Sequence, residues 1–147
     1  MQCCTACIAI ARPWRAVVEF LDEPRHYPRW APWLGPVLQR RDGEWLLKRA
    51  DGSVAKVRFS ERNGFGIADH WVLDDEDRAT LVALRVLPSG DGSEVLLSGF
   101  REAGTGEAQW AAQQAALHTG LKRLQEALQP PARPSPRAAG ERLPSLA

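Results

Sequence analysis

Apolar and polar residues follow three rhythms along this chain. The first eleven residues, MQCCTACIAIA, are a mostly apolar run of strand-forming length that Arg12-Pro13 ends. Pro13 then opens a short amphipathic segment in which Val17, Val18, Phe20 and Leu21 recur at helical spacing, and Asp22-Glu23-Pro24 breaks it and starts another helical turn. From Leu34 onward come short runs rich in strand formers, at residues 34–41, 44–49, 53–60, 65–73, 79–87 and 94–101. Asp42-Gly43, Asp51-Gly52, Asn63-Gly64 and the Gly90-Asp91-Gly92 segment supply the positive φ that tight hairpins need, and an acidic turn spans Asp74 to Asp77. The third rhythm runs from Glu107 to Leu128. There Trp110, Gln114, Leu117, Leu121, Leu124 and Leu128 alternate at spacings of four and three, the stripe of one long helix interrupted only by Gly120.

The predicted order is a strand, two short helices, six meandering strands and a long C-terminal helix. An antiparallel meander with one buried face needs a cover, and only the last helix, roughly 33 Å long at 1.5 Å per residue, is long enough. The expected class is therefore α+β, a curved seven-stranded antiparallel sheet around the C-terminal helix. In the turn at residues 74–77, pairing Leu73 with Arg78 sets Asp69 opposite Val82, with Ile67 and Trp71 on its inward face. A slip of one residue turns His70 inward instead, with Ala68 and Val72. The bulk of Ile67 and Trp71 favours Asp69 inward.

Composition narrows the class further. The 147 residues carry 19 basic and 18 acidic side chains, a net charge of +1, and no apolar stretch approaches the ~20 residues of a membrane helix. Bulk-charge binding to nucleic acid and membrane spanning are poor hypotheses. Residues 129–147 (QPPARPSPRAAGERLPSLA) are rich in proline, carry Arg133, Arg137 and Arg142 against Glu141, and lack apolar periodicity. They are expected to be a disordered tail beyond a domain of residues 1–128. Cys3, Cys4 and Cys7 crowd the start, but on a strand only Cys3 and Cys7 share a face and no second ligand cluster exists, so no metal or cofactor is expected. Nor do these cysteines form a secreted disulfide framework. With no basic segment before a short apolar run that Arg12 ends, a cytoplasmic location is the default.

The segments Ile10-Ala11-Arg12-Pro13, Phe20-Leu21-Asp22, Tyr27-Pro28-Arg29-Trp30-Ala31-Pro32, Gly66-Ile67-Ala68-Asp69-His70-Trp71-Val72, Arg85-Val86 and Gly92-Ser93-Glu94-Val95, in this element order, resemble the SRPBCC superfamily. That superfamily includes the START-like and polyketide cyclase/dehydrase-like proteins. The resemblance covers about residues 5–128 and implies the helix-grip fold, whose long helix and curled sheet enclose a mainly apolar cavity for lipids, polyketides or other small hydrophobic molecules. The N-terminal cysteines and the Pro-rich tail depart from the pattern.

Six of the eleven aromatic residues are Trp. Trp14, Trp30 and Trp33 fall in or beside the short helices, which the resemblance places near one end of the cavity, where an indole can stack on a ligand or anchor packing. Ala111, Ala112, Ala115, Ala116 and Gly120 either leave room beneath the helix or serve simply as helix formers. The candidate ligand-binding set is Trp30, Trp33, Asp69, His70, Trp71, Arg85, Trp110, Gln114 and His118. Asp69 and His70 are strand neighbours on opposite faces, so they cannot pair directly as base and orienter, and Arg85 is a partner for an inward Asp69. No motif specifies a reaction. Three functions stand: binding of a small hydrophobic molecule, a cyclase/dehydrase-like enzyme moving protons through Asp69, His70 or His118, and a protein-interaction module using the tail or a sheet edge. An edge strand can also serve as a homodimer contact.

Overall fold

The computed structural model describes residues 1–49 and 51–129. Seven strands form one antiparallel sheet in the order β1-β7-β6-β5-β4-β3-β2, with β1 Cys3–Ile10, β2 Val37–Arg41, β3 Glu44–Lys48, β4 Val54–Phe59, β5 His70–Leu73, β6 Ala79–Ser89 and β7 Gly92–Phe100. Between β1 and β2 lie α1 (Trp14–Leu21) and a 3-10 helix (Pro24–Arg29), and the chain closes with α2 (Glu107–Leu128) against β1 and β7. This is the helix-grip architecture. The expected disordered tail lies outside the described residues, apart from Gln129.

Strands β3, β4, β6 and β7 bury alternate residues, as the pleat requires. Ala6 and Ile10 of β1, Val82, Leu84 and Val86 of β6, and Val95 and Leu97 of β7 face Leu117, Leu121, Leu124 and Leu128 of α2 in one continuous core. Tyr27 and Trp30 are sealed in the same core from the 3-10 segment. Gly99 matters to this packing because any Cβ there would lie 3.1 Å from Leu117, so its hydrogen lets α2 settle closely on β7. On β1, Cys3 and Cys7 are exposed and Cys4 is half-buried, as alternation requires.

Two local devices move the chain away from the simplest hairpin reading. The link from β5 to β6 uses residues 74–78, with Asp77 in the left-handed region at φ 58°, and Leu73 pairs with Ala79 instead of Arg78. Asp74 fixes this longer turn, because one carboxylate oxygen accepts from the backbone N–H groups of Glu76 (2.8 Å) and Arg78 (2.9 Å). The one-residue difference sets His70 opposite Val82 and turns it inward. Asp69, Trp71 and Arg85 belong by alternation to the other face, which corrects the expectation of an inward Asp69. The second device shortens β5. Asn63 accepts from the N–H groups of Phe65 and Ile67 and donates to the carbonyls of Glu61 and Ile67, holding residues 61–67 in a compact loop joined to β6 only through the Ile67–Arg85 bridge.

Gly66 in that loop has φ 73°, and a Cβ would sit 2.2 Å from the Val86 carbonyl oxygen, whereas Gly43 at φ 77° in the β2–β3 turn has open space around it. Gly43→Ala is therefore expected to cost only the left-handed backbone term of about 1–2 kcal/mol, while Gly66→Ala adds a backbone collision and costs more than about 2 kcal/mol. Urea unfolding of the two variants checks the order; equal losses would contradict it.

Candidate functional site

The inward turn of His70 organises an aromatic cluster at one end of the core. The His70 ring is fully buried and stacks on Trp33, with centroids 6.2 Å apart and planes at 11°, while Tyr27 meets it edge-on at 5.2 Å and Phe59 lies at 5.8 Å. Trp33 Nε1 donates to His70 Nε2 at 3.1 Å. An accepting Nε2 places the imidazole proton on Nδ1, and Nδ1 is buried with no hydrogen-bond partner among the described residues. Burial alone pushes the His70 pKa down to about 3, because nothing nearby compensates a charged ring. His70 is thus a neutral acceptor that fixes the Trp33 indole. Trp33 is held on its other side by α2, where Gly120 leaves room for it: a Cβ at Gly120 would approach the indole ring to 3.2 Å.

Beyond Trp33 lies a cavity of about 260 Å³ between α2 and the β6–β7 end of the sheet. Its walls are mainly apolar, from Trp33, Val72, Val82, Phe100, Trp110 and Leu117, with Ala116 opening space on the helix. Polar side chains enter from Thr80, Gln113 and Glu102, and the Thr80 hydroxyl donates to the Glu102 carboxylate. The groove bounded by Asp22, Glu23, Arg25, Arg40, Glu61 and Arg62 is larger, about 470 Å³, but charged side chains form most of its rim. Apolar walls with a few converging polar groups are what a small organic ligand requires, so the α2 cavity is the candidate site.

The sequence-derived candidates divide among several places. Trp33 and Trp110 line the cavity. His70 stands directly behind Trp33, and Trp30, fully buried, packs edge-on against Trp33 at 5.7 Å. Asp69, Trp71 and Arg85 lie elsewhere: the Asp69 carboxylate accepts from Leu84 N–H at 2.8 Å and from the Arg85 guanidinium, taking the place of a carbonyl in the β-ladder. The Ala68 carbonyl so displaced lies 3.5 Å from the Tyr27 hydroxyl. Gln114 and His118 also miss the cavity, since the helix presents Gln113, Ala116 and Leu117 to it and His118 is exposed. Ala111, Ala112 and Ala115 are exposed as well, which leaves Ala116 as the alanine that makes room. Trp14 sits away from the cavity and donates to the Val86 carbonyl at 2.8 Å.

Sequence reasoning missed Gln113, Thr80 and Glu102. The stripe through Trp110, Leu117 and Leu121 is the buried one, but the cavity opens along its flank, where Gln113 and Ala116 stand, and an exposed Glu just after β7 has no motif to mark it.

No family model matches the chain. One curated relative, tricorn protease homolog 2 of Streptomyces coelicolor, is 44% identical over 59 residues, which is 38% of this chain and 5% of that protein. Solved structures align far more completely. XoxI from Bacillus cereus superposes with a TM-score of 0.71 at 18% identity, covering 87% of this chain and 96% of its own. The Aha1 dimer from Colwellia psychrerythraea gives 0.70 at 12% identity over 90% and 100% of the two chains, and a START superfamily protein from Mycobacterium smegmatis gives 0.64 at 13% over 86% and 96%. At such identities the likeness establishes the helix-grip fold that the START superfamily protein shares. Among the described residues, no helix is long and apolar enough to cross a membrane.

The buried neutral His70 makes stability depend on pH. Its folded pKa lies below the unfolded value of about 6.5, so between the two the unfolded chain holds the extra proton and stability falls as pH falls, by up to about 1.4 kcal/mol per pH unit. His70→Gln is expected to remove this part of the slope between pH 6.5 and 5, measured as the wild-type minus variant difference in urea unfolding. A constant difference would show that His70 titrates alike in both states. Asp69→Ala strands Leu84 N–H and is expected to cost about 1–3 kcal/mol, whereas Asp69→Asn keeps an acceptor there and costs less. Thermal melts of the two variants report the order.

Proposed function

We propose that the protein binds a small hydrophobic molecule in the cavity between α2 and the sheet, a reading carried by that cavity's apolar walls with two indoles, Trp33 and Trp110, among them. At about 260 Å³ the space is near the lower end of the ~300–1,000 Å³ usual for drug-sized ligands, so it suits a compact ring system or one end of a longer chain. The reading also agrees with the START superfamily likeness. A proton-transfer enzyme built on Asp69, His70 or His118 receives no support from the geometry. Asp69 is committed to Leu84 and Arg85, His70 is sealed behind Trp33, and His118 points to solvent.

The uncharged fluorophore N-phenyl-1-naphthylamine tests the reading, since its emission rises and shifts to the blue on leaving water. Saturable enhancement is expected with the wild type. Ala116→Leu, which fills the cavity from a half-buried helical position that tolerates leucine, is expected to weaken binding at least about tenfold while leaving the fold intact, since tenfold is only about 1.4 kcal/mol and one misplaced methylene cluster costs that much. Trp33→Phe is expected to weaken it less. Enhancement that persists unchanged in Ala116→Leu would move the site elsewhere. Mass spectrometry of small molecules released on denaturing freshly purified protein then identifies the natural ligand.

A further inference from the structure

The cavity's polar groups carry information about the ligand's polar end. Of the side chains lining it, Glu102 is the charged one; no Lys, Arg or His takes part. Glu102 has no ion-pair partner among the described residues, and its carboxylate accepts from the Thr80 hydroxyl. The neighbouring guanidinium of Arg101 is unavailable, because it donates to the Thr105 carbonyl and to Gln2 and pairs with Glu107 at 2.8 Å. The indole N–H of Trp33, a donor that could have served an anion, is committed to His70. What the walls offer instead are the two indoles of Trp33 and Trp110, aromatic rings of the kind that attract a cation.

We propose that the cavity selects amphipathic organic amines, with the apolar body against Trp33 and Trp110 and the ammonium group at the Glu102 carboxylate. This deepens the proposed function and rests on it. A carboxylate or phosphate head would meet Glu102 with like charge and find no cation in the walls. A neutral head would gain only hydrogen bonds to Glu102, Thr80 or Gln113. Glu102 is exposed at the rim, where water and salt screen it, so the preference is modest, about tenfold or roughly 1.4 kcal/mol. Thr80 is a positioning residue that holds the carboxylate toward the cavity.

Isothermal titration calorimetry with three ligands of one ring system separates the contributions: 1-naphthylmethylamine, 1-naphthalenemethanol and 1-naphthoate, at neutral pH and low ionic strength. The amine is expected to bind about tenfold tighter than the alcohol and the naphthoate weakest, with the gap narrowing at high salt. Glu102→Gln, at an exposed position, is expected to bring the amine to the level of the alcohol. Thr80→Val gives a partial loss for the amine alone. An alcohol that binds as well as the amine in the wild type would overturn amine selection and leave the hydrophobic cavity standing. A preference that survives Glu102→Gln would remove Glu102 as its source. Failure of all three ligands to bind would overturn the cavity reading and amine selection with it.

Discussion

The pairing of β5 with β6 is the constraint on which the site depends. One residue more in the turn at 74–78 decides which of two opposite sets of side chains faces α2, and the Asp74 carboxylate, bonded to the N–H groups of Glu76 and Arg78, holds the longer turn. With that register, His70 enters the core, and Asp69 takes the opposite side of the strand, where its buried carboxylate meets Leu84 N–H and the Arg85 guanidinium. Asp69 then reinforces the choice by accepting from Leu84 N–H within the ladder. A slip would take its buried carboxylate away from Leu84 N–H and Arg85 and strand that N–H, each of which is costly on its own.

From the register follows the wall of the cavity. A neutral imidazole buried among Tyr27, Phe59 and Trp33 is an unfavourable use of core space unless it holds something, and what it holds is the Trp33 indole. Gly120 permits the indole to lie against α2, and Gly99 permits α2 to lie against β7, so two missing side chains and one hydrogen bond set the distance between helix and sheet at that end. The core near Leu121 and Leu124 closes completely, whereas toward Trp110 and Ala116 the same layers part and leave the cavity. Stability and site therefore share one structure, with the buried His70 linking them.

Much of the architecture was legible in the sequence because it is written in periodicity. Alternation and Gly/Asp punctuation give seven strands, and the four-and-three spacing from Trp110 to Leu128 gives α2 at its observed bounds. The resemblance to the SRPBCC superfamily pointed to the same helix-grip fold. The register of β5 was not legible, since it depends on Asp77 adopting a left-handed conformation and on side-chain caps by Asp74 that no apolar pattern records. Site residues were legible where bulk and chemistry coincide, as in Trp33 and Trp110. They were misplaced where the cavity lies beside the buried stripe instead of under it, as on α2, where Gln113 lines the cavity in place of Gln114 and His118. Glu102 and Thr80 come from separate strand ends, and only the folded sheet brings them together.

The central claim is that the helix–sheet cavity walled by Trp33 and Trp110 receives an apolar ligand. Intermolecular nuclear Overhauser effects between the ring protons of 1-naphthalenemethanol and isotopically labelled protein test it most directly. The account predicts contacts to the indole protons of Trp33 and Trp110 and to the Leu117 methyl groups, with none to Trp45 or Trp14. Contacts confined to Trp45 and the charged groove beside it, with Trp33 and Trp110 silent, would contradict it.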